Sequence, residues 1–336
     1  MNKNTEYRSE YGHAIEEFIS SVVNASKTSL EKRENYNSKA LLFDDFLLPG
    51  NYVLLGGDPG IGKTFLVYDF IKELFGKQMK SVALFSMAST KHQVLSELTG
   101  HFVGIEPTKL STGLLEVYEW DFLDKRICNY LASPIASSNL RNLFIDTTPF
   151  MTLEHFEESL KDFVSKGCQY VFIDFIQLMD VTGITFPNLY EKMTYISHYL
   201  KQLAKYYNIP IVVICQRNRQ NNDNAFYREE RDFSLSDFRD TGAFDEDADV
   251  VLTVDRPEVR HVYQDCFGRD LHDVMKVIIL KDRNSHPIGE IMLHYDYDMM
   301  EFETYHEFLQ GHRDNEELVP SKINEMKDNG HETTEE

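Results

Sequence analysis

GDPGIGKT, residues 57–64, decides how the rest of the chain is read. It fits the pattern G-x-x-x-x-G-K-[ST] and stands between an apolar run, YVLL, and a helical stretch, TFLVYDFIKEL. Each residue type has a chemical reason to be there. Gly57, Gly60 and Gly62 let the backbone curl until successive N–H groups face one point, with Asp58, Pro59 and Ile61 completing the turn. A helix opening behind the loop adds the partial positive charge of its N-terminus. The Lys63 ammonium then reaches β- and γ-phosphates, and the Thr64 hydroxyl suits a Mg²⁺ ligand. The expected ligand is ATP with Mg²⁺.

On either side of this loop, short apolar strands alternate with helical segments. Strand-like runs are NYVLLGG, SVALFS, NLFIDTT, YVFIDF and PIVVICQ, with helical periodicity over 63–75, 91–98, 153–164 and 189–207. DADVVLTVD, DVMKVIILKD and GEIMLHYD follow without long helices between them. Near-continuous β-branched runs separated by amphipathic helices predict an α/β fold, a mainly parallel sheet flanked by helices on both faces. The last strands are expected to extend it antiparallel. A carboxylate should end a buried strand beside the phosphate loop to serve the metal. Asp174, closing YVFID, is the first candidate and Asp146, closing NLFID, its rival.

The predicted organisation is an N-terminal arm over 1–40, an ATPase domain over 41–305 and an acidic, disordered tail over 306–336. In the arm, Ile15, Phe18, Ile19 and Val22 recur at helical spacing, which suits a helix folded on its own domain or docked on a neighbouring subunit.

Composition narrows the class. Of 336 residues, 42% are apolar and 12% aromatic, enough for a large core. No apolar run approaches the ~18 residues a membrane span needs. The polar N-terminus lacks a signal-peptide pattern. Cys128, Cys168, Cys215 and Cys266 form no CxxC pair, which argues against a zinc site or disulfide framework. The reading is a soluble, cytoplasmic protein with no membrane partner. A net charge of −21 is unusual for a nucleic-acid binder, although a groove can concentrate positive charge locally.

VFIDFIQLMD, ISHYLKQLAKYYNIPIVVICQRNRQ, LSDFRDTGAFDEDADVVLTVDRPE and VIILKDRNSHPIGEIMLHYD resemble, in order and spacing, the motifs of the C-terminal domain of DnaB-type replicative helicases. GGDPGIGKT itself is worded more like RadA- and KaiC-like ATPases. The resemblance implies a RecA-like P-loop NTPase core and a homo-oligomeric, hexameric ring with ATP at subunit interfaces. Single-stranded DNA is the implied partner, and a helicase loader a further one. By the same resemblance Gln216 senses the γ-phosphate, and Lys281 and Arg283 reach a neighbour's nucleotide in trans. Arg239, Asp240 and Gly242 match the loop that grips a single-stranded DNA backbone. Arg217, Arg219, Arg228 and Arg231 add basic character nearby, and the segment 223–234 suits a mobile loop.

Two departures from the pattern stand out. About 40 residues precede the core, too few for the family's N-terminal collar, which leaves coupling to primase open and suits a phage or mobile-element origin. The strand VALFSMAST aligns with F-S-L-E-M-S, so the glutamate that orients the attacking water falls on Ala88. Glu97, more than two helical turns further along, looks a poor substitute. The first reading is therefore an ATP-dependent DNA helicase or translocase acting in replication. The alternative is a weakly or non-hydrolysing ATP-binding ring, a loader or scaffold.

Overall fold

The computed structural model describes residues 46–132, 142–216, 233–235, 238, 244–284, 289–296 and 300–305. The arm helix expected over 11–23, the acidic tail and most of the 223–234 loop lie outside them.

Nine strands form one sheet in the order β3-β2-β4-β5-β1-β6-β7-β8-β9. They are β1 (Tyr52–Gly57), β2 (Val82–Ser86), β3 (Leu143–Asp146), β4 (Tyr170–Asp174), β5 (Ile211–Gln216), β6 (Val250–Asp255), β7 (Val274–Asp282), β8 (Gly289–Asp296) and β9 (Glu301–Thr304). The first six pair in parallel with one another, and β6 to β9 run antiparallel as successive neighbours. The helices are α1 (Lys63–Ile71), α2 (Lys91–Val103), α3 (Pro107–Thr112), α4 (Val117–Ala132), α5 (Leu153–Ser165), α6 (Leu189–Tyr207) and the short α7 (Phe244–Asp247).

The strand sequences are apolar throughout because both faces of the sheet are covered. Val53 and Leu55 of β1 pack on one side with Leu66, Val67, Phe70 and Ile71 of α1, and with Val94 and Leu98 of α2. Tyr52 and Leu54 point the other way, toward Phe156 and Leu160 of α5 and Met193, Ile196 and Leu200 of α6. The same alternation splits Val82 and Leu84 from Ala83 and Phe85, and Val212 and Ile214 from Val213 and Cys215. This is the two-residue period of a strand acting on an unbroken apolar run. Each fully buried Leu or Phe contributes roughly 1.5–3 kcal/mol from its removal from water.

Parallel pairing in register carries the site residues to one edge. Gly57 of β1 pairs with Gln216 of β5, and Ser86 of β2 pairs with Asp174 of β4. The carboxyl ends of β1, β5, β4 and β2 therefore line one rim of the sheet, where ligands of such folds bind.

Four of the named elements were not anticipated from the sequence. They are the helices α3 and α4, the four-residue α7 and the strand β9; the Phe302 N–H of β9 donates to Asp69 of α1 and its Glu301 pairs with Lys72 at 2.9 Å.

Candidate nucleotide-binding site

The loop between β1 and α1 is shaped by where its glycines stand. Gly62 caps α1 in the left-handed region, φ 100°, and a Cβ there would lie 2.8 Å from the Met275 methyl. The dihedral is what favours glycine, since an L side chain there would be strained even if the Met275 methyl moved aside. Within β1 itself, a Cβ on Gly56 would fall 2.1 Å from the buried Phe238 ring.

The loop frames a cavity of about 470 Å³ lined by Lys63, Thr64, Tyr68, Glu97, Asp174 and Gln216 among others. Lys63 is 6% exposed and donates to the backbone carbonyls of Gly57 (3.0 Å) and Asp58 (2.7 Å). Burial holds its ammonium below the usual lysine range, with Cys215, Asp174 and Asp58 opposing the shift. A poorly solvated cation held by two carbonyls is ready to exchange them for phosphate oxygens.

Thr64 Oγ1 donates a 2.8 Å hydrogen bond to Asp174 Oδ2. Burial pushes the Asp174 carboxyl up from the ordinary range, while the Thr64 bond and the Lys63 charge pull it back. A hydroxyl and a buried carboxylate facing each other are the hard oxygen donors that Mg²⁺ takes alongside phosphate oxygens and water. These residues fit the metal.

The rival carboxylate is engaged elsewhere. Asp146 accepts from the Thr148 N–H and hydroxyl, meets His155 Nε2 at 2.9 Å and accepts from Ser159 Oγ at 3.1 Å. Although burial acts to raise its pKa, these bonds prevail and hold it below the usual aspartate range. It does not line the cavity.

Gln216 lines the cavity, and its backbone carbonyl accepts from Gln177 Nε2 at 3.0 Å. The same amide contacts Cys215 Sγ at 3.0 Å, so Gln177, in the turn after β4, ties the ends of β4 and β5 together. Its place in FIQLM was the only signal of this role in the sequence.

A second cavity of about 230 Å³ shares Gly62 and Phe65 with the first and is walled by Arg256, Met275, Tyr295 and Phe302. Phe65 and Tyr295 meet edge to face at 4.8 Å. A planar guanidinium and aromatic rings beside a phosphate site make a surface on which a flat base can stack. Nothing in the spacing of Arg256 and Tyr295, 39 positions apart, points to this from the sequence.

Lys281 and Arg283 are not at this rim. Val250 of β6 pairs with both Val53 and Asp282, so the end of β7 is level with the start of β1. From Val53 to Gly57 is about 13 Å along the strand, at ~3.3 Å per residue. The Arg283 Nη2 donates to the Glu246 carbonyl at 2.8 Å and its Nη1 meets Asp249 at 3.4 Å. Lys281 Nζ donates to the same Glu246 carbonyl at 3.3 Å. Neither side chain lines the phosphate cavity of its own chain. Arg239, Asp240 and Gly242, with Arg217, Arg219, Arg228 and Arg231, lie outside the described residues.

The family model for the DnaB-like helicase C-terminal domain matches residues 45–304. The chain belongs to this family. Among curated relatives, a probable replicative DNA helicase of Trieres chinensis is 27% identical over 255 residues, covering 75% of this chain and 53% of the relative. The replicative DNA helicase DnaB of Buchnera aphidicola (subspecies Baizongia pistaciae) is 27% identical over 263 residues, 78% of this chain and 53% of its own. The chain spans about half the length of the curated relatives it matches. Among solved structures, an isolated ATPase domain superposes with a TM-score of 0.64 at 20% identity, covering 84% of this chain and 98% of that one. A DnaB-like replicative helicase, solved in work on its interactions with primase, gives 0.64 at 21% over 76% of this chain and 58% of its own. Both share the fold described above. Among the described residues no helix is long and apolar enough to cross a membrane.

Proposed function

We propose that this DnaB-like domain is an ATP-driven DNA helicase motor, hydrolysing ATP with Mg²⁺ at the interfaces of a homo-oligomeric, hexameric ring and moving along single-stranded DNA. The observation that carries the reading is the division of labour across the sheet. Lys63, Thr64, Asp174 and Gln216 meet at one rim, whereas Lys281 and Arg283 stand at the opposite edge and do not line their own cavity. Cations so placed act on nucleotide only if a neighbouring copy presents its rim to them.

Within the site, Lys63 holds the β- and γ-phosphates, and Thr64 and Asp174 hold the metal. Mg²⁺, when bound, neutralises developing phosphate charge. Gln216, fixed through its carbonyl by Gln177, directs its amide toward the γ-phosphate. The Arg256–Tyr295 cavity takes the base. The Arg283 guanidinium of the next subunit spreads positive charge onto the transferring phosphoryl group, assisted by Lys281. Arg239, Asp240 and Gly242 contact the DNA backbone, without reading sequence. A loader that opens or assembles the ring is a further partner on this reading.

The deciding experiment measures ATP turnover by the full chain with and without single-stranded DNA, together with unwinding of a forked duplex. The expected result is DNA-stimulated turnover and strand separation. Tight ATP binding with neither would replace the motor by a static ATP-binding ring.

A further inference from the structure

In-line attack on a γ-phosphate needs a carboxylate or equivalent group to orient the water and take its proton, and at the end of β2 this chain has Ala88. Sequence distance made Glu97 a poor replacement; the structure brings it to the site. After β2 the chain turns at Ser89, and α2 starts under a reciprocal cap. Gln93 N–H donates to Thr90 Oγ1 at 3.3 Å and Thr90 N–H donates to Gln93 Oε1 at 2.9 Å. This fixes the direction of α2, whose Val94 and Leu98 lock into the core beside α1. Gln93 and Glu97, four residues apart on one helix face, then line the phosphate cavity together with Ala88.

We infer that Glu97 is the catalytic carboxylate of this chain, reaching from α2 the water that the family serves from the end of β2. The inference rests on the nucleotide reading above. Among the described residues lining the cavity, only Asp174 and Glu97 carry carboxylates. Asp174 is taken by Thr64 and belongs with the metal. Asp146 is held by three side chains and lies outside the cavity. Tyr68 is within the field of both candidates: burial raises its pKa, and the charges of Asp174 and Glu97 raise it further. Ala88 leaves open the space a longer residue would fill at the mouth of β2. Glu97 is half-buried, and desolvation lifts its carboxyl above the ordinary glutamate range, which makes the carboxylate a stronger base.

The step balances. A lone pair of the water oxygen forms the new bond to the γ-phosphorus. The bond from that phosphorus to the β,γ-bridging oxygen breaks, and its electron pair leaves with ADP. The water proton passes to the Glu97 carboxylate, which releases it to solvent before the next turnover.

The test uses the full chain with Mg²⁺, ATP and an oligothymidylate, in single-turnover mode, beside titration with a fluorescent non-hydrolysable ATP analogue. Glu97→Gln should bind the analogue within about twofold of wild type and hydrolyse ATP roughly 10²- to 10⁴-fold more slowly. The wild-type rate should fall at acid pH on a limb above the ordinary glutamate range, and that limb should vanish in the variant. Adding Ala88→Glu to Glu97→Gln should restore turnover, because the carboxylate returns from the strand side. Unchanged hydrolysis in Glu97→Gln overturns the proposal. So does a double variant with no recovery, which would trace the loss to packing. A wild type that binds the analogue but never hydrolyses ATP overturns Glu97 while keeping the nucleotide site; one that does not bind it overturns the nucleotide reading itself.

Discussion

The Thr64 hydroxyl donates a 2.8 Å hydrogen bond to the Asp174 carboxylate across 110 residues of sequence. The first turn of α1 and the last residue of β4 are brought together because β1 and β4 are separated in the sheet only by β5. The bond keeps a buried charge next to the position a metal would take.

That burial has a measurable cost. Because the folded-state pKa of Asp174 is raised above its unfolded value, its favourable contribution is fully present below the unfolded pKa and is lost as pH rises through the folded pKa. At neutral pH the carboxylate therefore weakens the nucleotide-free protein. Asp174→Asn, which can still accept the Thr64 bond, should melt at pH 7 no lower than wild type and flatten the loss of stability from the ordinary aspartate range upward. The same variant should lose the Mg²⁺-dependent rise in melting temperature given by ATP. Thermal melts across pH, with and without Mg²⁺·ATP, check both; a clear drop at pH 7 would contradict the buried-charge argument.

Lys63→Ala removes the cation that Gly57 and Asp58 hold at the loop. Nucleotide affinity should fall by at least tenfold and turnover should disappear, since a charged hydrogen bond in a poorly solvated site is worth roughly 1.5–3 kcal/mol. Equilibrium binding of a labelled ATP analogue is the check. Equal affinity in variant and wild type would remove the loop from the phosphate site.

Arg283→Ala should leave nucleotide binding nearly intact and lower turnover roughly 10³-fold or more, on the scale of a lost arginine finger. Mixed with Lys63→Ala protein after demonstrated subunit exchange, it should regain activity at interfaces pairing an intact loop with an intact finger. Steady-state turnover across mixing ratios reads this out. A strictly linear loss, with no recovery, would leave Arg283 only its local role on Glu246 and Asp249.

The cavity beside Gly62 predicts a split between base and phosphate. Arg256→Ala removes one wall of it and should weaken ATP binding several-fold while barely changing competition by inorganic tripolyphosphate. Equal weakening of both ligands would place the base elsewhere.

The sequence alone determined most of the frame. The phosphate loop is legible because its glycines, lysine and threonine act on neighbours within eight residues, a range over which local geometry follows from residue type. The parallel strands are legible because burial on both faces imposes unbroken apolar runs such as VALF and VVIC. Less was visible where these local rules are weak. β9 is four residues held by Asp69 and Lys72 of a distant segment, and α4 leaves Val117, Tyr118 and Trp120 exposed, so its apolar residues do not mark a core-facing stripe. Only the tertiary structure decided which carboxylate meets Thr64, because strand order and not sequence order sets who sits beside the loop. It also turned Glu97, nine residues past Ala88, into a wall of the same cavity, since a capped helix folding back over the sheet converts distance along the chain into proximity. And it put Lys281 and Arg283 at the far edge, because β7 runs antiparallel to β6 and delivers its end where β1 begins.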